Sequence, residues 1–530
     1  MISNKIEQII RASHDPRIPE YLLKKEEEPT IEVSEITSQA AFIYEKLRNA
    51  VDYKEEHLIR RAALERILKR KIALNLKSDK IARSLIAEFI RAGYLPNNEI
   101  PERVAENLQH IIDRHLLLHK KVSGDGSAQS IGLTPYFKPI MSIASTEIER
   151  FLFSHSLEDA TLNAFYTSIK DRVSMPDLKL SDSERDLTMY IASARALFKS
   201  DDATLYYDLF TTYYPNWENA DEELINHIAG HFQEVHRTIK DNLNRRLPWQ
   251  LVPKLKNDSI YFSLLKELAE TKSGSDSRAI LEDPQLLRKE ITLLAKKRYE
   301  AEKRRVTKSS WRAVIYIFLT KIILAFIFEL PYDLFIEKKI TITPLLINVF
   351  FHPLLLFAVT SSVKNPPSNN TDIIVNGIQN IISEKPLKKI VMQKRGYGSF
   401  LNVLLGFVYT AMFFITFTII IQFLRAFNFN VVSGILFILF LTLISYFGIR
   451  IRYTAKTWHV VGGKENPISF IWDLFTLPVI KVGRWLSEKF ATINIFIFIM
   501  DFILEAPFKL LLEVFEEFIS FVREKKEEMY

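Results

Sequence analysis

The chain is 530 residues long, carries a formal charge of +7 and contains no cysteine. The missing thiols exclude disulfides, thiolate metal ligands and thiol catalysis, and the length exceeds one ordinary domain. The 48% hydrophobic content is unevenly spread. To about Ser310 the pattern is polar and helical, and beyond it come long runs of Phe, Ile and Leu.

Residues 1–33, with spaced prolines and the charge run "KKEEEP", read as a flexible tail. From Ser34 the chain reads as helix after helix, so the expected class is all-α. A first helical subdomain is expected over 34–122, where Gly93 with Pro96 just beyond marks a helix end and Pro101 opens the next helix. The stretch "VSGDGSAQSIGLTP" reads as a linker over 123–142, and a second helical subdomain follows over 143–310.

Two histidine groups stand out there. His115 and His119 are one turn apart but project beside Val104, Leu108 and Ile112, which reads as core. Glu223, His227, His231 and Glu234 form a stripe at helical spacing that can chelate a divalent cation. The apolar face of that helix points largely the other way, so a solvated polar face is the simpler reading. No Walker loop, dinucleotide fingerprint or nucleophile elbow is found, and no catalytic residue or cofactor is assigned. The basic groups at Arg60-Arg61 and Lys69-Arg70-Lys71 alternate with leucine and isoleucine as in an ordinary amphipathic helix, so nucleic acid is not an expected partner.

Residues 311–450 form an expected four-span transmembrane domain, with runs at Trp311–Phe335, Ile340–Val363, Phe400–Arg425 and Val431–Ile449. Each is about as long as the hydrocarbon core requires, roughly 20 residues. Basic clusters precede the first run, separate the second from the third and follow the fourth, which puts all three on the cytoplasmic side. The N-terminus lacks a signal-peptide pattern, and an even number of spans places both termini in the cytoplasm.

Within the first run, Glu329, Asp333 and Glu337 recur every fourth residue around Pro331. They read either as an interfacial helix end or as Glu329 and Asp333 facing a polar cavity as an ion or proton site. "FILEAPFKLLLE" at Phe502–Glu513 has a similar pattern to "FIFELPYDLFIE" at Phe326–Glu337. Residues 451–530 are expected to form amphipathic helices lying in the cytoplasmic interface, with a fifth crossing near residues 491–512 left open.

The segments "EEHLIRRAALERILKRKI", "LIAEFIRAGYLPNNEIPE" and "EAPFKLLLEVFEEFISFVREKKEE" resemble recurring segments of uncharacterised multi-pass membrane proteins of small-genome bacteria, a group with no assigned activity. The resemblance implies a multi-pass protein of the bacterial inner membrane and transfers no site residue. The expected role is a non-enzymatic, membrane-anchored scaffold contacting lipid and either a protein partner or further copies of itself. The alternative is a transporter or channel component using Glu329 and Asp333.

Overall fold

The computed structural model describes residues 3–491 apart from 17, 25–27, 50–54, 74–80, 125–134, 179, 273, 362–365, 368, 386–387, 393–398 and 462–466; beyond 491 it describes Leu511, Val514, Phe518 and Phe521. Apart from Leu511, the expected repeat at Phe502–Glu513 therefore lies outside the described residues, as does half of the linker, whose last residues from Phe137 open a helix. The chain divides into two compact units: Met1–Pro284 with Ile378–Met392 and Ile499–Tyr530, and Gln285–Gly377 with Gln393–Phe498.

The first unit is built from α1 (Asn4–Ala12), α2 (Glu35–Asn49), α3 (Glu56–Ala73), α4 (Ile81–Arg91), α5 (Glu102–Ser123), α6 (Phe137–Leu152) and α7 (Ser156–Lys170). It continues with α8 (Asp182–Phe198), α9 (Asp202–Tyr213), α10 (Glu222–Asn244), α11 (Arg246–Leu251), α12 (Lys256–Thr271) and α13 (Gly274–Glu282). Local chemistry sets several ends. Ser181 and Glu184 form a reciprocal capping box on α8, and Asp221 accepts from the Leu224 amide at 2.8 Å to open α10. Gly93 ends α4 at φ +78°, where an added Cβ would stand 2.7 Å from the Phe42 ring.

Three domain readings change. Residues 4–12 of the expected tail form α1, whose Ile6, Ile9 and Ile10 are buried against α7 and α13. The apolar spacing of this helix is regular, but it is short enough to be masked by the prolines that follow. Later in the expected tail, the Ile31 amide donates to the Ile100 carbonyl at 2.9 Å, and Ile31 and Val33 are buried. The two expected subdomains share one hydrophobic core running from Leu22 to Leu243, because α3 packs on α6 and α5 on α10. The residues after the second long apolar run return to this unit: β2 (Ile390–Val391) pairs in parallel with β1 (Val173–Ser174). Arg172 adds a bond to the Lys388 carbonyl at 3.0 Å and Lys254 one to the Val391 carbonyl at 2.7 Å. The all-α expectation thus holds among the described residues apart from this two-residue pair and an isolated antiparallel bridge between Thr30 and Pro101.

The second unit begins with α14 (Pro284–Leu324), a single helix of 41 residues. The expected boundary at residue 310 falls inside it. Two wide π-helical turns, Ala325–Glu329 and Asp333–Glu337, flank the short α15 (Leu330–Tyr332). Pro331 lacks the amide that an α-helix needs at that point, and the wider turns accommodate the defect without breaking the helix. Then come α16 (Ile342–Ser361), α17 (Asn369–Ile382), α18 (Ser399–Ala426), α19 (Val431–Ala455) and α20 (Pro467–Ala491).

Among the described residues, four helical runs are long and apolar enough to cross a membrane: Pro284–Glu337, Ile342–Ser361, Phe400–Ala426 and Val431–Ala455. They coincide with the four runs read from the sequence. α20 packs along α19 and against α18. Gly483 is seated on the backbone of Thr442, midway along α19, and Thr416 of α18 donates to the Phe475 carbonyl at 3.3 Å. Small residues at such contacts let helices approach closely.

Candidate functional site: a buried polar network among the apolar helices

Lys321 lies about ten residues, or about 15 Å of helix, beyond Trp311, deep in the apolar part of α14. Its side chain is 1% exposed. The ammonium donates to Asn348 Oδ1 of α16 at 3.0 Å and lies 4.1 Å from the ring centre of Phe440 on α19. The Asn348 amide turns its nitrogen to Glu329 Oε1 at 2.9 Å and to the Ser433 carbonyl at 3.0 Å. Ser433 Oγ donates to the second Glu329 oxygen at 3.1 Å. One asparagine therefore links the cation of α14, the carboxylate of the first π-helical turn and the start of α19.

Asp333, one α-helical turn beyond Glu329, is saturated in the same way. Asn430 Nδ2 donates to Oδ1 at 2.6 Å, and Thr341 donates to Oδ2 through its amide at 3.0 Å and its hydroxyl at 2.9 Å. Asn430 also caps α19, accepting from the Ser433 amide at 2.8 Å, so the two carboxylates meet through consecutive turns of one cap. His352, one turn after Asn348, has Nδ1 at 3.2 Å from the Asn348 carbonyl and Nε2 at 3.1 Å from the Phe437 carbonyl. A neutral imidazole carries one N–H for these two acceptors.

The sequence pointed to Glu329 and Asp333, and the structure brings both into this network. Glu337 was expected on the same face and is exposed, because the second π-helical turn carries it away. Sequence reasoning missed Lys321, Thr341, Asn348, His352, Asn430 and Ser433. The signal was present for three of them: Lys321 interrupts "IFLTKIIL", and Asn348 and His352 stand one turn apart in "LLINVFFHPLL". Polar residues in such runs are costly and tend to face one another.

The stripe of Glu223, His227, His231 and Glu234 lies exposed along α10. The two imidazoles are 4.7 Å apart, and His231 Nδ1 is taken by the His227 carbonyl at 3.0 Å. Among the described residues no three His, Asp or Glu side chains converge on a metal-sized site.

The first unit has its own buried polar groups. His115 and His119 are core residues. His115 donates from Nδ1 to the Ile111 carbonyl at 2.8 Å, lies edge-on to Trp217, and is pushed down to about 3 by burial. Glu147 accepts from Trp217 Nε1 at 2.7 Å and from Arg114, yet burial outweighs both and raises its carboxyl. For Glu149 burial acts upward too, but His155 at 2.6 Å and Arg60 at 2.7 Å together hold it below the usual carboxylate range. Each of these groups is fixed by neighbours from several helices, the pattern of a core that uses polar residues to set its register.

Compared with protein families, curated proteins and solved structures, the chain matches none.

Proposed function

We propose that the protein is a multi-pass membrane protein of the bacterial inner membrane that acts as an anchored scaffold. Its helical first unit lies on the cytoplasmic side and engages a protein partner or further copies of the chain. The basic clusters flanking the apolar helices support that orientation.

The observation that carries the scaffold reading is the saturation of the polar network. Both oxygens of Glu329 and both oxygens of Asp333 already accept from donors belonging to the chain. An ion would have to displace these donors one by one, whereas a fastener needs them in place. On this reading Lys321, Asn348, Glu329 and Ser433 lock α14, α16 and α19 into one rigid anchor.

The second reading, a transporter or channel component, is favoured by the deep burial of Lys321, Glu329 and His352, since ionisable groups at that depth often mark a pathway. One experiment separates the two. The full-length protein and its Glu329→Gln/Asp333→Asn variant are reconstituted into vesicles, and proton and cation flux is measured beside the melting temperature. The scaffold reading expects a lower melting temperature and no protein-dependent flux. A flux that the variant abolishes at unchanged melting temperature establishes the transport reading instead.

A further inference from the structure

Between Lys296 and Arg312, α14 carries eight cations against two carboxylates. Glu300 and Glu302 pair along the helix with Arg304 and Arg305 at 3.6 and 3.9 Å, leaving a large positive excess. Lys303, Arg304, Lys308 and Arg312 are exposed over the turns that lead into the apolar run. At the end of α19, Arg452 and Lys456 are exposed as well.

These two basic groups belong to one rigid rim. Asn370, at the start of α17, is 0% exposed. Its Nδ2 donates to Tyr299 Oη of α14 at 2.8 Å and to the Trp458 carbonyl at 3.0 Å, and its Oδ1 accepts from the Val460 amide at 2.8 Å. The Arg298 guanidinium lies 5.8 Å from the Trp458 ring centre. A buried side chain thus ties α14 to the segment leaving α19 at one level. Trp311, half exposed beside Phe357, stands where the apolar run begins.

Setting the orientation of a helix requires a bias of a few charges. A fastened basic rim with an indole at the start of the apolar run is a more specific arrangement. Cations match the phosphate of a lipid headgroup, and the amphipathic indole of Trp311 matches the boundary between headgroup and acyl chain. We propose that this rim binds anionic phospholipid. The inference goes beyond the scaffold reading and depends only on the apolar helices lying in a bilayer.

The test uses the full-length protein in vesicles of phosphatidylcholine mixed with phosphatidylglycerol. The protein is extracted gently, and the ratio of the two retained lipids is compared with their ratio in the vesicle. Retained phosphatidylglycerol should be enriched about fivefold or more, since one basic residue near an anionic surface contributes roughly that factor. The enrichment should fall to near unity at high salt, and should fall at least twofold in a Lys303→Gln/Arg304→Gln/Lys308→Gln/Arg312→Gln variant. These positions are exposed, so the variant should melt as the wild type does in pure phosphatidylcholine. If it melts lower, the Lys308→Gln/Arg312→Gln pair provides the same readout. Wild-type enrichment near unity, enrichment that survives high salt, or equal enrichment in a folded variant overturns the proposal.

Discussion

Replacing Glu329 by glutamine separates charge from hydrogen bonding at the polar network. The glutamine oxygen can still accept from Asn348, and its amide can donate to the Ser433 hydroxyl, so the contacts at 2.9 and 3.1 Å survive in altered form. What disappears is the negative charge that shares Asn348 with Lys321. A lysine held deep in an apolar helix without compensation costs about 2.5–3.5 kcal/mol, whereas a hydrogen bond between apolar helices averages about 0.6 kcal/mol. Glu329→Gln should therefore cost about 2–3 kcal/mol, nearly all of it electrostatic. Lys321→Met leaves a buried carboxylate and should cost a similar amount, while the double variant restores neutrality and should cost about 1 kcal/mol or less. The assay is a double-mutant cycle by reversible unfolding in mixed micelles. Coupling below about 0.5 kcal/mol would refute the reasoning, because independent sites add to within that margin.

Three further outcomes follow from the geometry. His115 is held neutral in the folded chain with its value pushed down to about 3, so below the ordinary histidine range the unfolded chain binds a proton that the folded one does not. Stability of the first unit should be complete above about pH 6.5 and fall by up to about 4 kcal/mol towards pH 3; an unchanged pH–melting profile in His115→Gln would contradict that assignment. Gly483→Leu should separate α20 from α19, since even a Cβ at Gly483 would stand 1.9 Å from the Thr442 carbonyl oxygen; trypsin should then cut at Lys481 and Arg484 of α20 faster than in the wild type. Removing residues 1–12 strips the buried Ile6, Ile9 and Ile10 from α7 and should lower stability by several kcal/mol, about 1.5–3 for each fully buried side chain; a tail without structure would be lost with no effect on melting.

The apolar helices were legible in the sequence because membrane-length hydropathy is a local property of consecutive residues. The end of α4 at Gly93 and the start of α10 at Asp221 are likewise decided within a few positions. The joined core of the first unit was not legible. It depends on α3 meeting α6 and α5 meeting α10 across a break that composition marks as a linker. The polar network was half visible. Glu329 and Asp333 announce themselves beside Pro331, but their partners come from α16, α19 and the Thr341 turn, far along the chain. Helical projection placed Glu337 with them because it assumes 3.6 residues per turn, and the π-helical turns do not keep that period. The packing of α20 was not legible for a related reason: its charged stripe is visible in the sequence, but the close fit of Gly483 on Thr442 depends on a partner helix some forty residues away.

The proposed anchor has apolar helices that cross the membrane and a first unit in the cytoplasm. The cysteine-free chain allows a direct measurement. Single substitutions Glu337→Cys, Asn428→Cys, Lys254→Cys and Lys456→Cys are placed in the full-length protein, and intact spheroplasts are treated with an impermeant thiol reagent. The account predicts labelling at positions 337 and 428 and protection at 254 and 456 until the membrane is opened. Labelling at 254 or 456 in intact spheroplasts, or protection at 337 and 428, would contradict it.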